Sequence, residues 1–195
     1  DDRGAHADAE GGTDSAPRAQ IKVIAQAGVG LAGDAFDQRI IEHAVSPLLG
    51  LGSTYRGMSG QALGVPSHYY QSLAAWPRLS MMRTRQTLKE LQDIRLTAAD
   101  APAIERFMYL LDNELGFELH AAVTAAKAEL SREDSATLRF RSGPINIETV
   151  LARADFERWI APELRTLGAC VDAMLAETDV GADRVDRVFL TGGSS

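Results

Sequence analysis

The run Arg187-Val188-Phe189-Leu190-Thr191-Gly192-Gly193-Ser194-Ser195 passes from β-branched and aromatic residues straight into a glycine pair and two hydroxyls. An apolar run bounded by glycine is the signature of a buried strand, and such strands deliver ligand loops at their carboxyl ends. Gly192 and Gly193 let the backbone come close to a ligand, and Ser194 follows them with a hydroxyl. The stretch reads as a strand-to-loop nucleotide contact; taken alone it is also an ordinary strand ending in a turn. A second candidate is Gly33, which precedes Asp34 at a helix start, where free N–H groups serve either a ligand or the helix itself. The third is the pair Lys127 and Ser131, four apart and therefore on one helix face if the region is helical. Without further context they are a solvent lysine and a helix-ending serine.

The elements that must position these residues follow from periodicity. Ile21, Val23, Ile24 and Val29 suggest a strand over 21–30, closed by Gly28, Gly30 and Gly33. A helix starts directly after it, with Asp34 as N-cap, Asp37 three residues on in a box-like position, and Phe36, Ile40, Ile41, Ala44 and Val45 as one stripe. Pro47 and Gly50 end it. The Gly-, Ser- and Tyr-rich stretch 51–80 predicts loop with one short helix over 68–76, its aromatics packed in the core, and 81–96 predicts a helix with a basic, solvated face. From Asp100-Ala101-Pro102 a stripe running from Ile104 to Leu130 keeps helical period throughout, which predicts one long helix carrying Lys127 and Ser131. Residues 137–141 and 145–147 alternate around Ser142-Gly143-Pro144, a hairpin whose arginines face water. A last long helix is expected over 154–177, bent or interrupted at Pro162, before a closing strand over 185–191.

Composition narrows the function classes. With 195 residues and 45% hydrophobic content, one sizeable core is affordable. Residues 1–20 hold five acids, two arginines and nothing apolar larger than Ala or Pro, which predicts a flexible acidic arm or hairpin tip. A net charge of -7 argues against a nucleic-acid partner held through phosphates. No apolar run approaches the ~20 residues of a membrane span, no signal peptide opens the chain, and the single Cys170, read as a core residue, fits a reducing cytoplasm. The start at Asp1 and the stop after a glycine loop suggest a piece of something larger.

Taken together, Gly33-Asp34-Ala35-Phe36-Asp37, Ala126-Lys127-Ala128-Glu129-Leu130-Ser131 and Val188 to Ser195 resemble, in order and spacing, the second lobe of the nucleotide-binding domain of the heat-shock protein 70 (DnaK-like) chaperones, as a divergent bacterial-type member. The resemblance spans about 23–195 and fades between 51 and 96. It implies an α/β (α+β, helix-rich) chain with an actin-like ATPase or ribonuclease H-like fold, a fragment of lobe II: a lid subdomain over about 36–178 flanked by base-subdomain strands at 21–30 and 185–191. It further implies that Gly33 lies near nucleotide phosphates, that Gly192, Gly193 and Ser194 contact nucleotide, and that Lys127 and Ser131 hold the adenosine ribose and base. ATP or ADP with Mg would be the cofactor, the metal ligands lying outside this stretch; unfolded-protein clients and co-chaperones would be the partners. Four positions depart from the family pattern: the glycine beside Gly33 is Ala32 here and the acid after it is Asp34 rather than Glu, its glutamate one turn before the lysine is Thr124, and an often basic residue after the lysine is Ala128. The glycine run Gly11-Gly12-Thr13-Asp14 is not taken as the family's phosphate loop, because no apolar strand precedes it; that loop is expected upstream of Asp1.

No catalytic or metal-binding set is complete in the sequence. The four histidines lack metal spacing, Cys170 has no evident base and no Walker-type motif occurs. The expected role is therefore to hold the adenosine side of an ATP site in a larger ATPase. Two alternatives stay open: a nucleotide-independent α/β interaction module, and a lobe of another actin-like ATPase or sugar kinase, since a fold does not fix a function.

Overall fold

A computed structural model describes residues 22–31, 33–178, 180–189 and 191. The fold is α+β and helix-rich, with two small antiparallel sheets. In chain order come α1 (Gly33–Ile40), a π turn (Ile41–Val45) and a 3-10 turn (Ser46–Leu49), then strands β1 (Thr54–Arg56) and β2 (Ala62–Gly64). Helices α2 (His68–Ala74), α3 (Trp76–Met82), α4 (Arg85–Thr97), α5 (Ala101–Asp112) and α6 (Gly116–Leu130) follow. The hairpin β3 (Ser135–Ser142) and β4 (Ile145–Ala152), helix α7 (Arg153–Ala176) and a 3-10 turn (Ala182–Arg184) complete the chain.

The core gathers between α1, α5, α6 and the inner face of the β3–β4 hairpin. The stripe expected on the first helix is fully buried at Ile40, Ile41 and Val45, and it continues through the tighter 3-10 turn to Leu49. Gly50 stops it at φ 103, a left-handed conformation for which glycine carries no Cβ penalty. The Tyr70 hydroxyl donates to the Leu49 carbonyl at 3.0 Å and so satisfies a helix-end acceptor. The hairpin alternates as its sequence demands: Ala136, Leu138, Phe140, Ile145, Ile147 and Leu151 are buried, and Arg139 and Arg141 pair with Glu148 on the wet face. α6 lies across that apolar face.

Several expectations need correction. The single long helix is two: α5 ends at Asp112, and Glu114, with φ 54, is the one described non-glycine residue in the left-handed region. The Asn113 side chain donates back to the Tyr109 carbonyl, and Gly116 starts α6 where a Cβ would lie 2.5 Å from Leu79 Cδ2. The turn lets the apolar stripe resume in nearly the same phase, which is why periodicity alone does not expose it. The helix expected over 81–96 also divides, with Thr84 capping α4 by accepting from the Thr87 N–H. Residues 51–80 hold the β1–β2 hairpin and two helices rather than loop and one. α7 runs through Pro162 without interruption; the proline is exposed, so the carbonyl it leaves unbonded belongs to exposed Arg158 and meets water. Cys170 is only partly buried. Residues 22–29 and 185–189 form no strand, and Val23, Val188 and Phe189 are at least three-quarters exposed. A strand needs a neighbour to complete its ladder, and no described segment offers one. The arm over 1–20 lies outside the described residues.

The Gly50 turn gives a direct test. A Cβ there would sit 2.6 Å from Ile104 Cδ1 in a backbone that L side chains avoid. Gly50→Ala is expected to cost about 2 kcal/mol in urea unfolding, whereas alanine at Gly52, also at positive φ but with open space around it, is expected to cost about 1 kcal/mol, the left-handed penalty alone.

Candidate functional site

Two of the residues singled out in the sequence meet where α1 crosses α6. On α1, Asp37 shares a face with Ile40, Ile41 and Ala44, so the packing that buries the aliphatic stripe buries the carboxylate with it. On α6, Leu119, Val123, Ala126 and Leu130 make the buried ridge and Lys127 stands at its border. The Lys127 Nζ lies 2.8 Å from Asp37 Oδ1, with the two side chains 12% and 9% exposed. The same ammonium donates to the Gly33 carbonyl at 3.3 Å, and the Thr124 hydroxyl donates to Asp37 Oδ2 at 3.1 Å. Oδ1 receives no aligned hydrogen bond, so the ammonium is held there by charge rather than by a directed bond. Of the three donors a lysine ammonium carries, one is directed at the Gly33 carbonyl, and the ammonium is otherwise held by the Asp37 charge.

The structure thus brings Gly33 and Lys127 together, although they stand 94 positions apart. Ser131 is not part of this cluster. It caps the end of α6 in the open, its hydroxyl donating to the Ala128 carbonyl at 2.7 Å. Gly192, Gly193 and Ser194 lie outside the described residues. Asp34 does not act as N-cap, because α1 already begins at Gly33 and Asp34 sits in its first turn, where its charge favours the helix dipole. Asp37 is not a capping-box residue either: it faces inward to Lys127. The clue in the sequence was a carboxylate on an apolar stripe, which demands a partner when buried. Thr124, noted only as a departure from the glutamate of the resembled family, is the residue that steadies that carboxylate.

Beside the cluster runs an open groove of about 530 Å³. Its floor is low because Ala121, Ala125 and Ala128 project little, and Phe117, 69% exposed, stands at its border. His120 closes the side toward α2, its Nε2 3.3 Å from the Leu73 carbonyl. Burial pushes the His120 pKa down against the opposing pull of that carbonyl and of Asp37 and Asp34, so the ring is neutral at pH 7. Sequence reading assigned His120 no role. Among the described residues no three metal-ligating side chains converge. The arrangement can orient and hold polar groups. No protein-family model matches the chain.

Two measurements test this geometry. In a double-mutant cycle, Asp37→Ala and Lys127→Ala are each expected to destabilise by about 3 kcal/mol, with a coupling of about 1–3 kcal/mol; additivity within error would remove the ion pair from the account. For His120 the unfolded chain binds the proton more readily than the folded one, so stability rises with pH through the window below the ordinary value of about 6.5. His120→Gln, which can still donate to Leu73, is expected to flatten that part of the pH dependence in thermal melts.

Proposed function

We propose that this chain is the adenosine-holding lobe of an ATP site in a heat-shock protein 70-like chaperone with the actin-like ATPase fold. The observation that supports this reading most is the meeting of Gly33 and Lys127: residues from two separate motifs, each of which the family resemblance places beside nucleotide, fall at one junction. Ser131, one turn along α6 with an exposed hydroxyl, is a natural second contact for a ribose or base. On this reading ATP or ADP arrives with Mg held by groups elsewhere in a larger cytoplasmic protein, and phosphoryl transfer, which needs a metal and a positioned water, is not carried out by these residues alone. Clients and co-chaperones would be met by the assembled protein, where nucleotide acts through a difference in affinity between two states.

One observation favours the second reading, a nucleotide-independent interaction module: the Lys127 ammonium is already occupied by Asp37 and the Gly33 carbonyl. Lys127→Ala is therefore a poor sole test, since it also strands a buried carboxylate. Ser131→Ala is cleaner, because its hydroxyl bonds only within its own helix. Calorimetric titration of ATP and ADP with magnesium into the full-length protein is expected to show binding, weakened about five-fold by Ser131→Ala, the value of one hydrogen bond. Absence of binding by either nucleotide would favour the interaction module.

A further inference from the structure

A second cavity, of about 390 Å³, opens on the far side of α1 from the Lys127 cluster, between α1, the α2–α3 junction and α7. Its charges are arranged with a polarity. On the α1 and α7 wall, the guanidinium of Arg39 is shared by two acids: Nε and Nη2 both donate to Glu163 Oε1 at 2.9 and 2.6 Å, and Nη1 donates to Glu42 Oε2 at 2.9 Å. One cation against two carboxylates leaves that wall with an excess of one negative charge. Both donors to Glu163 fall on the same oxygen, so Oε2 is left with no hydrogen-bond partner, although the side chain is only 11% exposed. A buried acceptor left unpaired is costly, and a carboxylate torsion turns in a broad well, so Oε2 can swing to a donor placed in the cavity while Oε1 keeps Arg39. Glu163 stays ionised: burial pushes its pKa up, and the interactions led by the Arg39 guanidinium more than reverse this.

The α2–α3 side of the cavity carries Arg78, an exposed cation whose side chain has no ion-pair or hydrogen-bond partner among the described residues. Gln38 and Gln71 add two amide groups, likewise unpartnered, and Ala35 and Ala74 keep the space between the walls open. A simple anion would face the acidic wall, and a simple cation would face Arg78. A ligand carrying both charges on a short frame satisfies each wall.

We infer that this cavity is a binding site for a small zwitterion of the α-amino acid class, its ammonium at the Glu42 and Glu163 wall and its carboxylate at Arg78. The amides of Gln38 and Gln71 bridge to either end. The site is separate from the Lys127 junction and does not depend on nucleotide.

The test is a titration of L-alanine into the whole 195-residue chain, followed by amide proton–nitrogen correlation spectra, with acetate, methylammonium and glucose as comparison probes. Saturable shifts centred on Gln38, Gln71 and Arg78 are expected, with acetate and methylammonium each about ten-fold weaker and glucose silent. Arg78→Gln is expected to weaken L-alanine about ten-fold, the effect of losing a hydrogen bond to a charged group. Ala74→Leu, which fills the cavity, is expected to abolish the shifts, thermal melting being used to show that it stays folded. Arg78 is exposed, so its variant keeps the test decisive if Ala74→Leu does not fold. Absence of saturable shifts with L-alanine, shifts that survive the Arg78 change unaltered, or equal binding of acetate or glucose would overturn the assignment.

Discussion

A carboxylate carried into an apolar interface must find its counter-charge there, and in this chain that requirement ties the first helix to the sixth. Asp37 cannot turn to water without taking Ile40 and Ile41 out of the core, so α1 can seat only where Lys127 and Thr124 are in reach. The pair is a weak source of net stability, because desolvation of two charges offsets much of their attraction. Its contribution is specificity of placement: a sliding of α1 by one turn would leave both charges buried and unpaired. The Gly33 carbonyl is held at the same junction, so the start of α1, the feature most suited to meeting a ligand, is fixed by a contact made a full turn further along.

Around this junction the hairpin and α6 supply the surface on which α1 is clamped. β3 and β4 present one apolar face, α6 covers it, and the buried ridge of α6 then sets where Lys127 projects. The α5–α6 turn at Glu114 is part of the same device. A single straight helix from Ala101 to Leu130 could not pack one end beneath the 3-10 turn at Leu49 and the other on the hairpin; the left-handed residue lets each half take its own direction. Arg39 repeats the rule on the other side of α1, where α7 brings Glu163 into the interface and the same helix provides its counter-ion.

Much of this was legible in the residues. The period-two alternation of 137–147 gave the hairpin and its buried face, because strand geometry leaves no other way to sort Leu138 and Phe140 from Arg139 and Arg141. The stripe of Ile40, Ile41 and Val45, the Pro47 and Gly50 stop and the long last helix are local matters of periodicity and backbone preference, and they read correctly. The break at Glu114 was not legible, since a turn that preserves the phase of the stripe leaves the apolar pattern intact. The short helices and strands over 51–98 lacked a clear period, and their boundaries are set by caps such as Thr84 and by the fit of Gly116 against Leu79. The stretches 22–29 and 185–189 read as strands because their side chains suit a sheet, but a strand is a property of a pair.

The sequence by itself determined what each segment needed: an apolar face to bury on α1, α6 and the hairpin, a partner for every charge on those faces, and glycine at Gly50 and Gly143 where the backbone turns left-handed. Only the tertiary structure decided which partner each charge received. Asp37 could have capped its own helix, Lys127 could have faced water, and Arg39 could have paired with Glu42 alone; all three outcomes satisfy local chemistry. The packing of α1 between α6 and α7 selected Lys127 for Asp37 and Glu163 for Arg39, residues 90 and 124 positions away in the chain. Charge pairing is a distance effect in space, and sequence separation carries no information about it until the core has chosen which helices touch.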